Sequence, residues 1–301
     1  MEVEEKGRWV TLGTRAGPVA SPVRSQPANL LIAGDARILV DVGDGTMGRL
    51  AALGILAARV DAVFISHLHW DHTGGLAALL GLRAQTNPQV PLAIYGPPGT
   101  AEMVEGLLAS MKPGAAAGYG VAGARTIDLD KLTSVTELRD RASLAYRGVK
   151  VSARNNTHYS FAPESGLAER FEALSFRFDL PGRSIVYTGD TGPSSAVEEL
   201  AAGADLLVAE MMDVDDTIAR TLRFNPDWPE PARLAMEKHL REHHLLPDDV
   251  GQMAARAKVK GVVVTHFAGH ERGDPAHFEY LRQIVAHYAG PVVIANDLDV
   301  F

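Results

Sequence analysis

Cysteine is absent from the 301 residues. That excludes disulfides, thiolate metal sites and thiol nucleophiles, and it leaves the redox compartment open, since a chain without Cys tolerates either environment. Long apolar runs are missing too. None approaches the ~20 residues that a membrane span needs, so no membrane association is expected. Basic residues are in the minority, 29 Lys and Arg against 37 Asp and Glu, for a net charge of −8. Binding to a phosphate backbone draws on clustered Lys and Arg, so the charge balance predicts no nucleic-acid partner. The opening Met1-Glu2-Val3-Glu4-Glu5-Lys6 is acidic and carries no apolar h-region, so no signal peptide is expected and the expected location is the cytoplasm.

The rest of the composition is ordinary for a globular enzyme: 46% hydrophobic and 22% charged residues. The length suits one domain over 1–301. Short apolar, β-branched runs predict strands over 38–42, 62–66, 92–95, 149–153, 174–179, 184–188, 206–209, 261–265 and 291–295. Helical spacing predicts helices over 47–56, 75–82, 100–111, 195–202, 229–244, 247–257 and 276–289. Strands and helices mixed in this way suggest an α/β fold in which two sheets pack face to face with helices outside. Two stretches, 112–148 and 212–232, read as loop-rich insertions of the kind that often bind ligands.

The chemistry concentrates where the predicted strand 62–66 runs into His67-Leu68-His69-Trp70-Asp71-His72, followed by Thr73-Gly74-Gly75. Three imidazoles and a carboxylate so close together are costly to bury unless something coordinates them. A turn at a strand end can aim His67 and His69 at one metal, and Asp71 and His72 at a second. Other strands end in candidate ligands as well. His158 follows Arg154-Asn155-Asn156-Thr157, Asp190 follows Tyr187-Thr188-Gly189, and His266 follows Val262-Val263-Val264-Thr265.

With Thr11-Leu12-Gly13-Thr14, Asp41-Val42-Gly43-Asp44-Gly45-Thr46 and Ile94-Tyr95-Gly96-Pro97 added, the chain resembles the metallo-β-lactamase superfamily over nearly its whole length. Within that superfamily it resembles the branch of tRNase Z and the related arylsulfatases. The resemblance implies a four-layered αββα sandwich. It assigns His67, His69 and His158 to one metal and Asp71, His72 and His266 to the other, with Asp190 bridging them. Nitrogen and carboxylate donors suit two divalent ions, Zn²⁺ first and Mn²⁺ or Fe as alternatives, which would hold a bridging hydroxide. His244 matches the histidine that this branch uses to stabilise the transition state or protonate the leaving group. Its neighbours His239 and His243 are expected along an exposed helix. The branch ends an earlier strand in a His-Glu pair; here Ala209 stands in place of the His, and Glu210 remains to orient His244.

Asp190 at the bridging position argues against a true β-lactamase. Only residues 159–189 separate His158 from Asp190, and a predicted strand pair fills them, leaving little room for the arm with which tRNA-processing members grip tRNA. Trp70 stands where those enzymes usually have Gly. The expected function is therefore hydrolysis of a small-molecule ester: an aryl or alkyl sulfate, a phosphodiester, or a carboxylic ester or lactone. One alternative is a tRNase Z-like phosphodiesterase acting on RNA. Another is a non-catalytic binding protein on the same fold, whose signature would be lost ligands. A small molecule is the expected partner, and a homodimer is compatible with the sequence. Tryptophan is scarce, with three in the chain. Trp70, Phe224 and Trp228 are expected to form an apolar substrate mouth, because 212–232 joins Glu210 to the helix that leads to His244.

Overall fold

Alternation along the strands sets the architecture. In the computed structural model, which describes residues 7–86, 90–123 and 126–301, Ile38 and Val40 point one way and Leu39 the other. The acidic run 1–6 lies outside the described residues. Six strands, β1 (Arg8–Gly13), β2 (Ala28–Ala33), β3 (Ala36–Val42), β4 (Ala62–Phe64), β5 (Leu92–Gly96) and β6 (Thr133–Glu137), pair in that order in a first sheet. A second sheet holds β7 (Ser143–Tyr146), β8 (Val149–Asn155), β9 (Leu174–Leu180), β10 (Arg183–Tyr187), β11 (Leu206–Met212), β12 (Val262–Ala268) and β13 (Val292–Ile294). The last strand, β14 (Asp299–Val300), returns to pair with β1. Each sheet begins antiparallel and continues parallel, from β3 in the first and from β10 in the second.

The inner faces of the two sheets share one core. Ile38, Val40 and Phe64 meet Phe176, Phe178 and Tyr187 there, and Trp9 is fully buried with its indole N–H donating to Asn29 Oδ1 at 3.2 Å. Leu39, Val63 and Ile94 face outward onto Leu76, Leu79 and Leu80 of the helix Leu76–Gln85. Val186, Leu207 and Val264 face outward onto Val250, Met253 and Ile284. The result is the expected α/β sandwich of four layers, αββα. All nine expected strands form. The edge strands β6 and β7 carry little apolar signal because their side chains are largely exposed.

The expected insertions are more regular than their composition suggests. The helix Thr100–Ala117 continues past 111 and contains Pro113, and β6 and β7 lie in the second half of the stretch 112–148. Residues 212–232 are not irregular: they hold the helix Val214–Phe224, and a second helix, Glu230–Glu242, comes next. Asp213 caps the first by accepting from the Asp216 N–H at 3.0 Å. Val214, Ile218 and Leu222, spaced i, i+4 and i+8, pack with Met236 and Leu240 of the second. Asn225-Pro226-Asp227-Trp228-Pro229 is the turn between two helices. Among the described residues no helix is long and apolar enough to cross a membrane.

Candidate metal centre and active site

The candidate ligands gather where strands of both sheets end. His67 lies three residues past β4, His158 three past β8 and Asp190 three past β10, while His266 lies inside β12. His266 is the extra residue of a β-bulge: Glu210 pairs with Thr265 and Met211 with Phe267, leaving His266 unpaired at φ 41°. A left-handed backbone is unfavourable for a residue with a Cβ, and here it turns the imidazole toward the centre. Asp41 repeats the device on β3, the extra residue between the Ala28 and Asn29 pairings at φ 59°. Gly75 is required behind the histidine block, because a Cβ there would stand 2.3 Å from the Gly43 carbonyl oxygen.

His67 Nε2 lies 3.0 Å from His69 Nδ1, which lies 3.1 Å from His158 Nε2. Asp190 spans the cluster: one oxygen is 3.8 Å from His67 Nε2 and 3.2 Å from His266 Nε2, and the other is 3.2 Å from His72 Nε2. Asp71 stands 3.5 Å from His266 Nε2 and 3.7 Å from His72 Nε2. All seven sequence-predicted ligands are therefore brought together. The triads His67–His69–His158, His67–His72–Asp190 and Asp71–His72–His266 each present donor atoms within 4.8 Å of one another.

A cation fits this donor set. His72 Nε2, Asp190 Oδ1 and both ring nitrogens of His266 are buried and have no hydrogen-bond partner among the described residues. Leaving such atoms unmatched costs about 1–3 kcal/mol each, and most of them converge on one point. Burial pushes His67 and His158 well below the usual imidazole range, which keeps them neutral, as a metal ligand must be. Burial would also lower His266, but Asp190, Asp71 and Glu210 outweigh it and hold it near 10. The carboxylates thus call for positive charge at this place. Asp41, to which the motifs assign no role, fixes the ligands from behind. Its carboxylate accepts from the Ser66 N–H at 2.7 Å and from Ser66 Oγ and Tyr187 Oη at 2.8 Å each, and lies 2.8 Å from His72 Nδ1. Its signal in the sequence is an Asp in the middle of an apolar strand.

His244 is buried beside Glu210, its Nδ1 2.8 Å from Oε2. Burial alone would lower its pKa, but the Glu210 carboxylate keeps it above the ordinary value. The other Glu210 oxygen accepts the Thr191 N–H at 2.6 Å, next to Asp190. His239 departs from expectation. It is not on an open helix face but half-buried in the centre, its ring 5.0 Å from His158 and 5.3 Å from His244. Its Nδ1 lies 3.0 Å from that of His243, which is itself buried. Helical spacing from His243 could have placed the two together, but nothing in the sequence shows the fold of 214–242 that brings them to the candidate metal centre. A cavity of about 1000 Å³ opens from the centre beneath the helical pair, and Trp70, Phe224 and Trp228 all line it. Trp70 is 89% exposed and Phe224 71%, so both stand at its rim.

The model of the β-lactamase superfamily domain matches residues 36–267. The chain belongs to the β-lactamase superfamily. The superfamily match runs from β3 to His266 and so contains every candidate ligand. Across 96% of both chains the protein is 33% identical to a ribonuclease Z of Mycobacterium avium (strain 104), and it is 34% identical to one of Mycobacterium sp. (strain KMS), covering 86% of this chain and 83% of that one. Two solved structures share the fold over 98% of each chain: the metallo-β-lactamase fold protein YhfI of Bacillus subtilis, with TM-score 0.71 and 18% identity, and the short form of human tRNase Z, with TM-score 0.67 and 23% identity. This superfamily chain is accordingly a metallo-β-lactamase fold hydrolase. The ribonuclease Z relatives overturn the expectation that nucleic acid is not a partner. Net charge failed as a guide because it averages the whole surface and does not report on one local centre. The same relatives give no support to the arylsulfatase and esterase expectations.

Proposed function

We propose that the protein is a two-metal phosphodiesterase acting on RNA. The observation that carries this reading is the complete donor set, with the His244–Glu210 pair beside it, in a chain one third identical to proteins named ribonuclease Z across almost its full length. His67, His69 and His158 would hold one ion and Asp71, His72 and His266 the other, with Asp190 shared. Nitrogen and carboxylate donors favour zinc. Bound there, the two ions would polarise the phosphoryl oxygens and lower the pKa of water. The chain's own contribution starts with Asp41, which orients His72. Glu210 holds His244 by Nδ1, leaving Nε2 to give a proton to the departing ester oxygen as the phosphorus–oxygen bond breaks. The helical pair covers the cavity that opens from the reacting atoms.

Elemental analysis of protein purified without chelator should find close to two equivalents of metal, and hydrolysis of a short RNA should depend on them. Asp190→Ala should lose at least one equivalent and most of the activity. A variant that kept both metals and the full rate would end the reading. Hydrolysis of a small ring-bearing ester is a second reading, favoured by the apolar walls of the cavity and by the short 159–189 connection. A panel of nitrophenyl phosphodiester, sulfate, acetate and a lactone separates the two.

A further inference from the structure

Two clefts, not one, open onto the metal centre. The second, of about 460 Å³, shares His69, His158 and His239 with the larger cavity and runs away from it between Tyr159, Phe161 and Phe171. Its rings form a ladder. Tyr159 lies 5.5 Å from His69 and 5.3 Å from His158, Phe161 lies 5.0 Å beyond Tyr159, and Phe171 lies 6.3 Å beyond Phe161. At the far end the Arg170 guanidinium sits 5.0 Å over the Phe171 ring. Tyr159, Phe161 and Phe171 are each half-buried, and Arg170 covers one face of Phe171, which leaves the other for a partner.

A phosphodiester carries two organic arms on its phosphorus, and two clefts that meet at the centre can take one each. We propose that the small cleft is a substrate subsite in which Phe161 and Phe171 stack unpaired nucleobases of single-stranded RNA. This rests on the phosphodiesterase reading above. His244 lines the large cavity and not the small one. The arm whose oxygen takes the proton therefore leaves through the large cavity. The arm on the ladder keeps its phosphorus–oxygen bond and ends as the phosphomonoester once water has added to phosphorus. Stacking tolerates any base, because every base offers a π-face, so the cleft selects strandedness and not base order. Bases in a duplex are stacked on their neighbours and have no face to offer.

The test measures binding of a single-stranded oligoribonucleotide with phosphorothioate linkages to the whole zinc-loaded chain by calorimetry. Phe161→Ala and Phe171→Ala should each weaken it about tenfold, within the range that one stacked base contributes. Phe161→Leu, which keeps apolar bulk, should show a similar loss, and Phe161→Trp should restore binding. Wild-type protein that does not bind the strand, or alanine variants that bind it within twofold of wild type, would overturn the subsite. Turnover of methyl p-nitrophenyl phosphate, which has only one ring, judges the parent reading separately. If the strand binds through the rings but no diester is cleaved, the phosphodiesterase reading fails and the ladder stands as a cleft that stacks unpaired bases. If this diester is cleaved but the variants bind as wild type does, the subsite fails and the reading stands.

Discussion

Asp41 shows how a single residue ties fold to chemistry. A carboxylate inside an apolar strand is tolerated because its charge is matched from three sides, by Ser66, Tyr187 and His72. Burial and the neighbouring Asp41 carboxylate push the Tyr187 hydroxyl well up, so that it stays a donor. Asp41→Asn keeps the shape and removes the charge that orients His72. Metal affinity should fall about 10–100-fold, read by competition with a chromophoric chelator; unchanged affinity would show that His72 is positioned by packing alone. His244→Ala addresses the other side of the centre. Turnover should drop about 10²–10⁴-fold with metal content intact, and the loss should shrink for nitrophenolate leaving groups, which need no proton. An equal loss across leaving groups would instead assign His244 to charge stabilisation. The seven candidate ligands were legible in the sequence because imidazoles and carboxylates crowd together or follow apolar strands. Asp41 and His239 were not, since one acts through another residue and the other reaches the centre only through tertiary structure.

At the level of elements, the parallel strands β10, β11 and β12 carry Asp190, Glu210 and His266 toward one edge, so their relative position decides the site. Asp205, just before β11, ties all three together. It accepts from Ser184 N–H at 2.7 Å and Ser184 Oγ at 2.9 Å at the start of β10, and from Lys260 Nζ at 2.7 Å just before β12. The Lys260 hydrogen bond, with those from Ser184, lowers the Asp205 pKa to about 2. A carboxylate depressed on folding adds stability above its unfolded pKa of about 3.9, and that stability is lost as the pH falls toward about 2. Asp205→Asn should cost about 1 kcal/mol at neutral pH, a modest figure because Lys260 is solvated. The gap in melting temperature from wild type should close between pH 4 and 2. A gap that persisted or widened on acidification would contradict this account. Strands such as β10 to β12 were visible in sequence because both their faces are buried and most of their residues are apolar. The helix Val214–Phe224 was not, because polar residues fill its outer face and the prolines after it read as a break, while its apolar stripe has meaning only against Met236 and Leu240.

For the whole molecule, the proposed RNA substrate would have to be engaged by an acidic protein. The net charge of −8 opposes long-range attraction; Arg15 and Arg220 line the larger cavity, and Arg220, with several arginines beside the clefts, is ion-paired. Arg24 meets Glu271 at 2.8 Å, Arg220 meets Asp216 at 2.6 Å, Arg170 meets Glu102 at 3.1 Å and Arg139 meets Glu172 at 2.8 Å. A protein that held RNA through a basic face would release many counterions on binding, and its affinity would fall steeply with salt. On the proposed reading, attraction is concentrated at the metal centre and supplemented by stacking, which salt barely touches. The predicted dependence is therefore shallow. With two or three phosphates engaged on a single strand, a plot of log K against log salt should slope by about −1.4 to −2, at roughly −0.7 per contact. Chelation should then remove most of the affinity without steepening the slope. Titrations of single-stranded RNA between 50 and 300 mM salt would measure it, with ionic strength as the only variable at fixed pH and metal. A slope of about −5 or steeper would mean that seven or more phosphates are contacted. The ion pairs around the clefts would then have to open on binding, and recognition would extend well beyond the metal centre.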